Sequence, residues 1–151
     1  MKKLKSLLLL LMITLLFSCS NNDAEHQVVE NDSTDINFVW QSTINDSTGK
    51  FEMRKLPVAD TLTIPYIIDY LNIRNPNILL TFVKTSNDTA YLKIDDAKYL
   101  TQQMGSSGPR FYLSEVIYNL TELSGISVVN LDFKTGDHAA PGTFSKESFN
   151  Y

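Results

Sequence analysis

The stretch from Pro109 to Ser124 limits the possible folds more than any other part of the chain. Leu113, Val116, Ile117, Leu120 and Leu123 follow one another at steps of three, one, three and three, a spacing that draws one apolar stripe along a helix. Pro109 stands at the start, where its missing N–H costs little, and Gly125 lies just past the end, where a left-handed residue stops a helix. From Ile126 to Phe133 the pattern alternates, with Val129, Leu131 and Phe133 on one side and Asn130 and Asp132 on the other, so a strand follows. Its polar face predicts an antiparallel or edge position.

Upstream, Asn37 to Ser42 and Lys50 to Leu56 are strand-like, and the Asn, Asp, Ser and Gly of 44–49 favour a turn between them, which predicts a hairpin. Pro57 ends the second strand or places it at an edge. Ile64, Ile67, Ile68 and Leu71 fit a short helix capped by Thr63, with Pro65 in its first turn. Ile78 to Lys84 and Ala90 to Ile94 predict a second hairpin across 85–89, and Asp95 or Asp96 would cap a short helix running to Gln103. The fold class these elements predict is α+β. It is a single compact domain over 36–151, with a mixed or antiparallel sheet, one main amphipathic helix over 109–124 and one or two shorter helices.

The first eighteen residues read differently. Lys2, Lys3 and Lys5 precede an apolar run from Leu7 to Phe17 broken only by Thr14, the layout of an export signal. Such a run spans roughly 16 Å as a helix against a hydrocarbon core of roughly 30 Å, so it predicts a cleaved signal and not a permanent span. Leu16-Phe17-Ser18-Cys19 at its end resembles the lipobox of bacterial lipoproteins. The resemblance implies cleavage before Cys19, a diacylglyceryl group on its sulfur and usually a further N-acyl chain, which together give a durable membrane anchor where one chain would not. Cys19 is the single cysteine, so it has no intramolecular disulfide partner.

Residues 20–35 carry five acids and no lysine or arginine, with only Val28 and Val29 as sizeable apolar groups, and predict a flexible tether. Acidic residues in that place resemble the surface-export signals of Bacteroidota lipoproteins; a solvated spacer explains them equally. Loss of residues 1–18 removes three lysines and takes the formal charge from −4 to −7, which argues against nucleic acid as a partner.

The run from Asp88 to Gly136 resembles the GerMN domain family. It has a strand with an acidic step in Ala90-Tyr91-Leu92-Lys93-Ile94-Asp95, a helix ending in Asn119-Leu120-Thr121-Glu122-Leu123, a turn at Gly125, and a strand from Val129 through to Gly136. The resemblance implies a compact α+β module of extracytoplasmic lipoproteins that binds or assembles, without recognised catalytic residues.

Two loops hold the candidate ligand-binding residues. In Met104-Gly105-Ser106-Ser107-Gly108-Pro109-Arg110, the amides at the helix start and Arg110 favour an anion, although the phosphate-loop spacing and its lysine are missing. A tight turn that aims the helix is the plainer reading of Gly105 and Gly108. In Gly136-Asp137-His138-Ala139-Ala140-Pro141-Gly142, Asp137 could orient His138 as a general base or metal ligand, but the only other histidine, His26, lies in the tether. A loop shaped by Gly136, Pro141 and Gly142 is the plainer reading there. Ser114 and Ser145 lack a nucleophile elbow, and Asp95, Asp96 and Asp132 are explained by capping and a wet strand face.

The function predicted is thus a non-enzymatic binding or assembly domain needing no metal or cofactor, anchored through Cys19 in the cell or outer membrane and facing the periplasm or cell surface. Its partners would be the membrane, an envelope protein or further copies of itself. The alternatives are an envelope hydrolase or metal-dependent enzyme centred on Asp137 and His138, and a small-ligand or anion receptor using Gly105 to Arg110.

Overall fold

The computed structural model describes residues 37–149, and the export signal, Cys19 and the acidic tether lie outside the described residues. The fold is α+β. It has a two-stranded sheet, β1 (Asn37–Ile44) and β2 (Phe51–Val58), and a four-stranded sheet of β3 (Leu80–Ser86), β4 (Thr89–Ile94), β5 (Val128–Phe133) and β6 (Gly142–Phe144). The helices are α1 (Ile64–Arg74) and α2 (Gly108–Leu120), with a five-residue π-helical turn at Tyr99–Gln103 and a 3-10 turn at Lys146–Ser148.

Local chemistry sets most of these boundaries. Thr63 Oγ1 accepts from the Tyr66 N–H at 3.3 Å and opens α1, where Pro65 occupies the first turn. The first hairpin turns on Asn45, whose Oδ1 accepts from the N–H groups of Ser47 and Thr48, both at 3.0 Å, while Gly49 takes a φ of +65°. The second hairpin is tighter than its polar residues imply. Asn87, at φ 53°, and Asp88 make the whole turn, and Thr85, Ser86 and Thr89 belong to the strands, where β-branched threonine fits well.

In the four-stranded sheet β3 and β4 are antiparallel, β4 and β5 parallel, and β5 and β6 antiparallel. The antiparallel neighbour that the sequence predicts for β5 is β6, but β5 is an interior strand and not an edge, and its other neighbour, β4, runs parallel to it with α2 in the crossover. Its polar face arises because only one face of the sheet is covered by helices. Ala90, Leu92, Ile94, Val129, Leu131 and Phe133 are buried there against α1 and α2, while Asn130 and Asp132 face away. At Val83 a bulge shifts the β3 register between Phe82, opposite Leu92, and Lys84, opposite Tyr91. Leu79, Phe82 and Val83 on this free edge, with Ile73 at the end of α1, are four of the five exposed large hydrophobics of the described residues.

The main helix ends earlier than the stripe suggests. Thr121 caps it, its Oγ1 donating to the Ile117 carbonyl at 2.7 Å, and Leu123 falls in the turn that Gly125 completes at φ +83°. Nor is it a helix with one wet face: Ser114, Glu115 and Asn119 are as buried as Leu113 and Val116. A second layer accounts for this, since β1 lies against the side of α2 that turns away from the large sheet.

Candidate functional site

An isolated hairpin is marginal in water, so β1 and β2 need a surface to lie on. Helix α2 supplies one with two polar side chains one turn apart. Asn119 Oδ1 accepts from the Trp40 N–H and its Nδ2 donates to the Trp40 carbonyl, both at 2.8 Å, so one amide pairs a strand residue as a neighbouring strand would. One turn earlier, Glu115 Oε1 accepts from the Ser42 N–H at 2.9 Å and from Ser42 Oγ at 2.5 Å. The spacings match: four helical residues rise about 6 Å, and two strand residues about 6.8 Å. Arg74 from α1 stands 3.7 Å from the same carboxylate, and with the Gln41 amide turned to present its oxygen the guanidinium donates to it at 2.6 and 2.9 Å. Around this polar seam Trp40 meets Tyr118 edge-on at 5.3 Å and Phe51 stacks on Phe111 at 4.5 Å.

Asn72 of α1 repeats the device on the large sheet. Its Oδ1 accepts from the Leu80 N–H at 2.8 Å and its Nδ2 donates to the Leu80 carbonyl at 3.0 Å, closing the start of β3's free edge.

Two tyrosine hydroxyls, of Tyr70 and Tyr112, are buried near this junction without a hydrogen-bond partner. Burial raises the Tyr112 phenol well above its ordinary 10.0, and the Glu115 charge raises it further. Burial likewise raises Tyr70, against the pull of Arg74. A phenol whose folded value is raised holds its proton longer folded than unfolded, so its stabilising contribution is complete below the unfolded value, about pH 10, and drains away above it. Tyr112→Phe should therefore leave stability at pH 7 within about 1 kcal/mol, because an unpaired hydroxyl is lost without a cavity. It should also flatten the fall in stability between about pH 10 and 11.5, measured by urea unfolding at each pH. An unchanged alkaline slope would contradict the assignment.

The two loops singled out in the sequence pack against different elements, one against the hairpin tip and the other against Thr101. Gly105 has φ +71°, the left-handed turn expected of it, and Gly108 is fixed by packing, since a Cβ there would lie 2.6 Å from Met104 Cβ. The loop abuts the hairpin tip, and Lys50, Phe51, Ser106, Ser107 and Arg110 line a shared groove of about 520 Å³. In the other loop Asp137 and His138 are exposed. The His138 N–H donates to the Thr101 carbonyl and the Gly136 N–H to Ala139, both at 3.0 Å. Gly136 is needed for close approach and not for a turn: a Cβ would sit 2.5 Å from both Cβ and Oγ1 of Thr101. Among the described residues no three His, Cys, Asp or Glu gather as metal ligands, and no helix is long and apolar enough to cross a membrane.

The residues that sequence reasoning missed are Glu115 and Asn119. Their only signal was an i, i+4 polar pair on a helix that also had to accept a hairpin. Comparison of the chain with family models, with curated proteins and with solved structures finds no match.

Proposed function

We propose that the protein is a lipid-anchored extracytoplasmic lipoprotein whose α+β domain binds or assembles with a partner and does no covalent chemistry. The observation that carries this reading is Leu16-Phe17-Ser18-Cys19 at the end of an apolar run, sixteen residues ahead of 36–151. The use made of buried polar side chains supports the non-enzymatic part. Thr101 and Ser114 donate to the carbonyls of Ala97 and Phe111, and Glu115 and Asn119 hold the backbone of β1. These four are the buried polar residues of the described chain, and each is spent on the scaffold. The GerMN-like stretch 88–136 runs from the β3–β4 turn to just beyond β5, and the binding or assembly role that this resemblance implies belongs to the proposal.

Metabolic labelling with palmitate tests the anchor. Wild-type protein should carry the label and sediment with membranes, and Cys19→Ser should lose the label entirely; equal labelling of the two would contradict it. For the domain, mild cross-linking in intact membranes should give one discrete adduct, and monomer alone would count against assembly.

A further inference from the structure

In open sheets with parallel strands, the carboxyl ends of those strands are where loops diverge and ligands settle. Strands β4 and β5 are the parallel pair here, with Ile94 opposite Phe133, so Asp95 and Lys134 leave the sheet side by side. Beyond them lies a cleft of about 350 Å³ lined by Asp95, Asp96, Lys98, Gln102, Lys134 and Thr135, with Ala97 and Thr101 at its buried side. Its size falls at the lower end of small-molecule sites, about 300–1,000 Å³.

The walls are fixed from three directions. Asp96 Oδ1 accepts from the Lys98 N–H at 3.0 Å, Thr101 Oγ1 donates to the Ala97 carbonyl at 2.9 Å, and the Gly136 to Ala139 loop is tied to Thr101 through the His138 N–H at 3.0 Å. Thr101 and Gln102 come from the π-helical turn, an irregularity frequent at functional sites. A cleft held in this way needs little ordering when it fills.

Its charges are the informative feature. Asp95 is already spent, bonded to Lys93 at 3.1 Å. The Lys98 and Lys134 ammonium groups make no ion pair or hydrogen bond among the described residues, and Asp96 keeps Oδ2 unbonded. Opposite charges thus border one hollow without reaching each other within 4 Å. A molecule bearing both signs would satisfy both.

We propose that this cleft binds a small zwitterion of the amino-acid or dipeptide class. The ligand carboxylate lies between Lys98 and Lys134, its ammonium lies against Asp96, and Gln102 and Thr135 offer further polar contacts. This names a ligand for the binding domain proposed above, but it is independent of the anchor and stands or falls separately.

The test is calorimetric titration of the full chain in detergent with alanyl-alanine, its N-acetyl derivative and its C-terminal amide. Alanyl-alanine should bind at millimolar affinity or better, and each capped analogue about tenfold or more weakly, since each loses a charge-assisted contact. Lys134→Met and Asp96→Asn, both at exposed positions, should weaken alanyl-alanine by a similar factor, whereas Lys84→Met, on β3, should not. Circular dichroism serves to check that each variant is folded. No binding of alanyl-alanine, equal binding of the capped forms, or affinity unchanged in both Lys134→Met and Asp96→Asn would overturn the proposal.

Discussion

Asn119→Leu is expected to cost about 3 kcal/mol, although it replaces a polar helix residue with one of similar size and better helix propensity. The loss arises on the strand. Trp40 offers its N–H and carbonyl to the Asn119 amide at 2.8 Å each, and leucine would leave both unpaired in a place where Asn119 itself is 1% exposed. Each stranded group costs about 1–3 kcal/mol, with some relief as the hairpin edge lets in water. The hairpin shares no residue with the main hydrophobic cluster, so it should loosen before the large sheet does. Trp40 is the only tryptophan, and its fluorescence reports that event directly. In Asn119→Leu the fluorescence transition in urea should precede the far-ultraviolet one. Coincident transitions with a loss below about 1 kcal/mol would contradict the bridging role.

Gly136→Ala should cost about 2–3 kcal/mol, the upper part of the range for overpacking. The added methyl would meet Thr101 at 2.5 Å, and Thr101 cannot withdraw because its Oγ1 and N–H both bond the Ala97 carbonyl, at 2.9 and 2.8 Å. The loop must lift instead and give up the bond from the His138 N–H. Gly142→Ala, six residues on, is the contrast: its nearest neighbour would be Phe144 Cζ at 3.4 Å, an ordinary contact, and the loss should stay within about 0.5 kcal/mol. Thermal or urea unfolding of the pair separates steric need from turn chemistry, and equal losses would show that Thr101 does not set the requirement.

What the sequence made legible follows from short-range physics. Thr63 and Pro65 announced α1, Asn45 and Gly49 announced the first turn, and the stripe from Leu113 to Leu120 announced the buried side of α2. These signals lie within a few residues of what they specify. The rest depended on contacts far along the chain. Glu115 and Asn119 lie off the apolar stripe, and nothing near them in the sequence marks them as buried, because their partners, Ser42 and Trp40, lie 73 and 79 residues away. The parallel setting of β5 was hidden by Asn130 and Asp132, whose polarity reports an open sheet face and says nothing of strand direction. Strand β6, with only three residues, has no readable period. Of the candidate sites, the loops at Gly105 to Arg110 and Gly136 to His138 were visible as motifs. The charge arrangement around Lys98, Lys134 and Asp96 was not, since it exists only where two strand ends meet.

The proposed anchor on Cys19 is tested most directly by the intact mass of the native protein extracted from membranes. The expected chain lacks residues 1–18 and begins at Cys19, heavier than that polypeptide by one diacylglyceryl group with or without a further acyl chain. A chain that still begins at Met1, or one cut elsewhere with an unmodified Cys19, would contradict it.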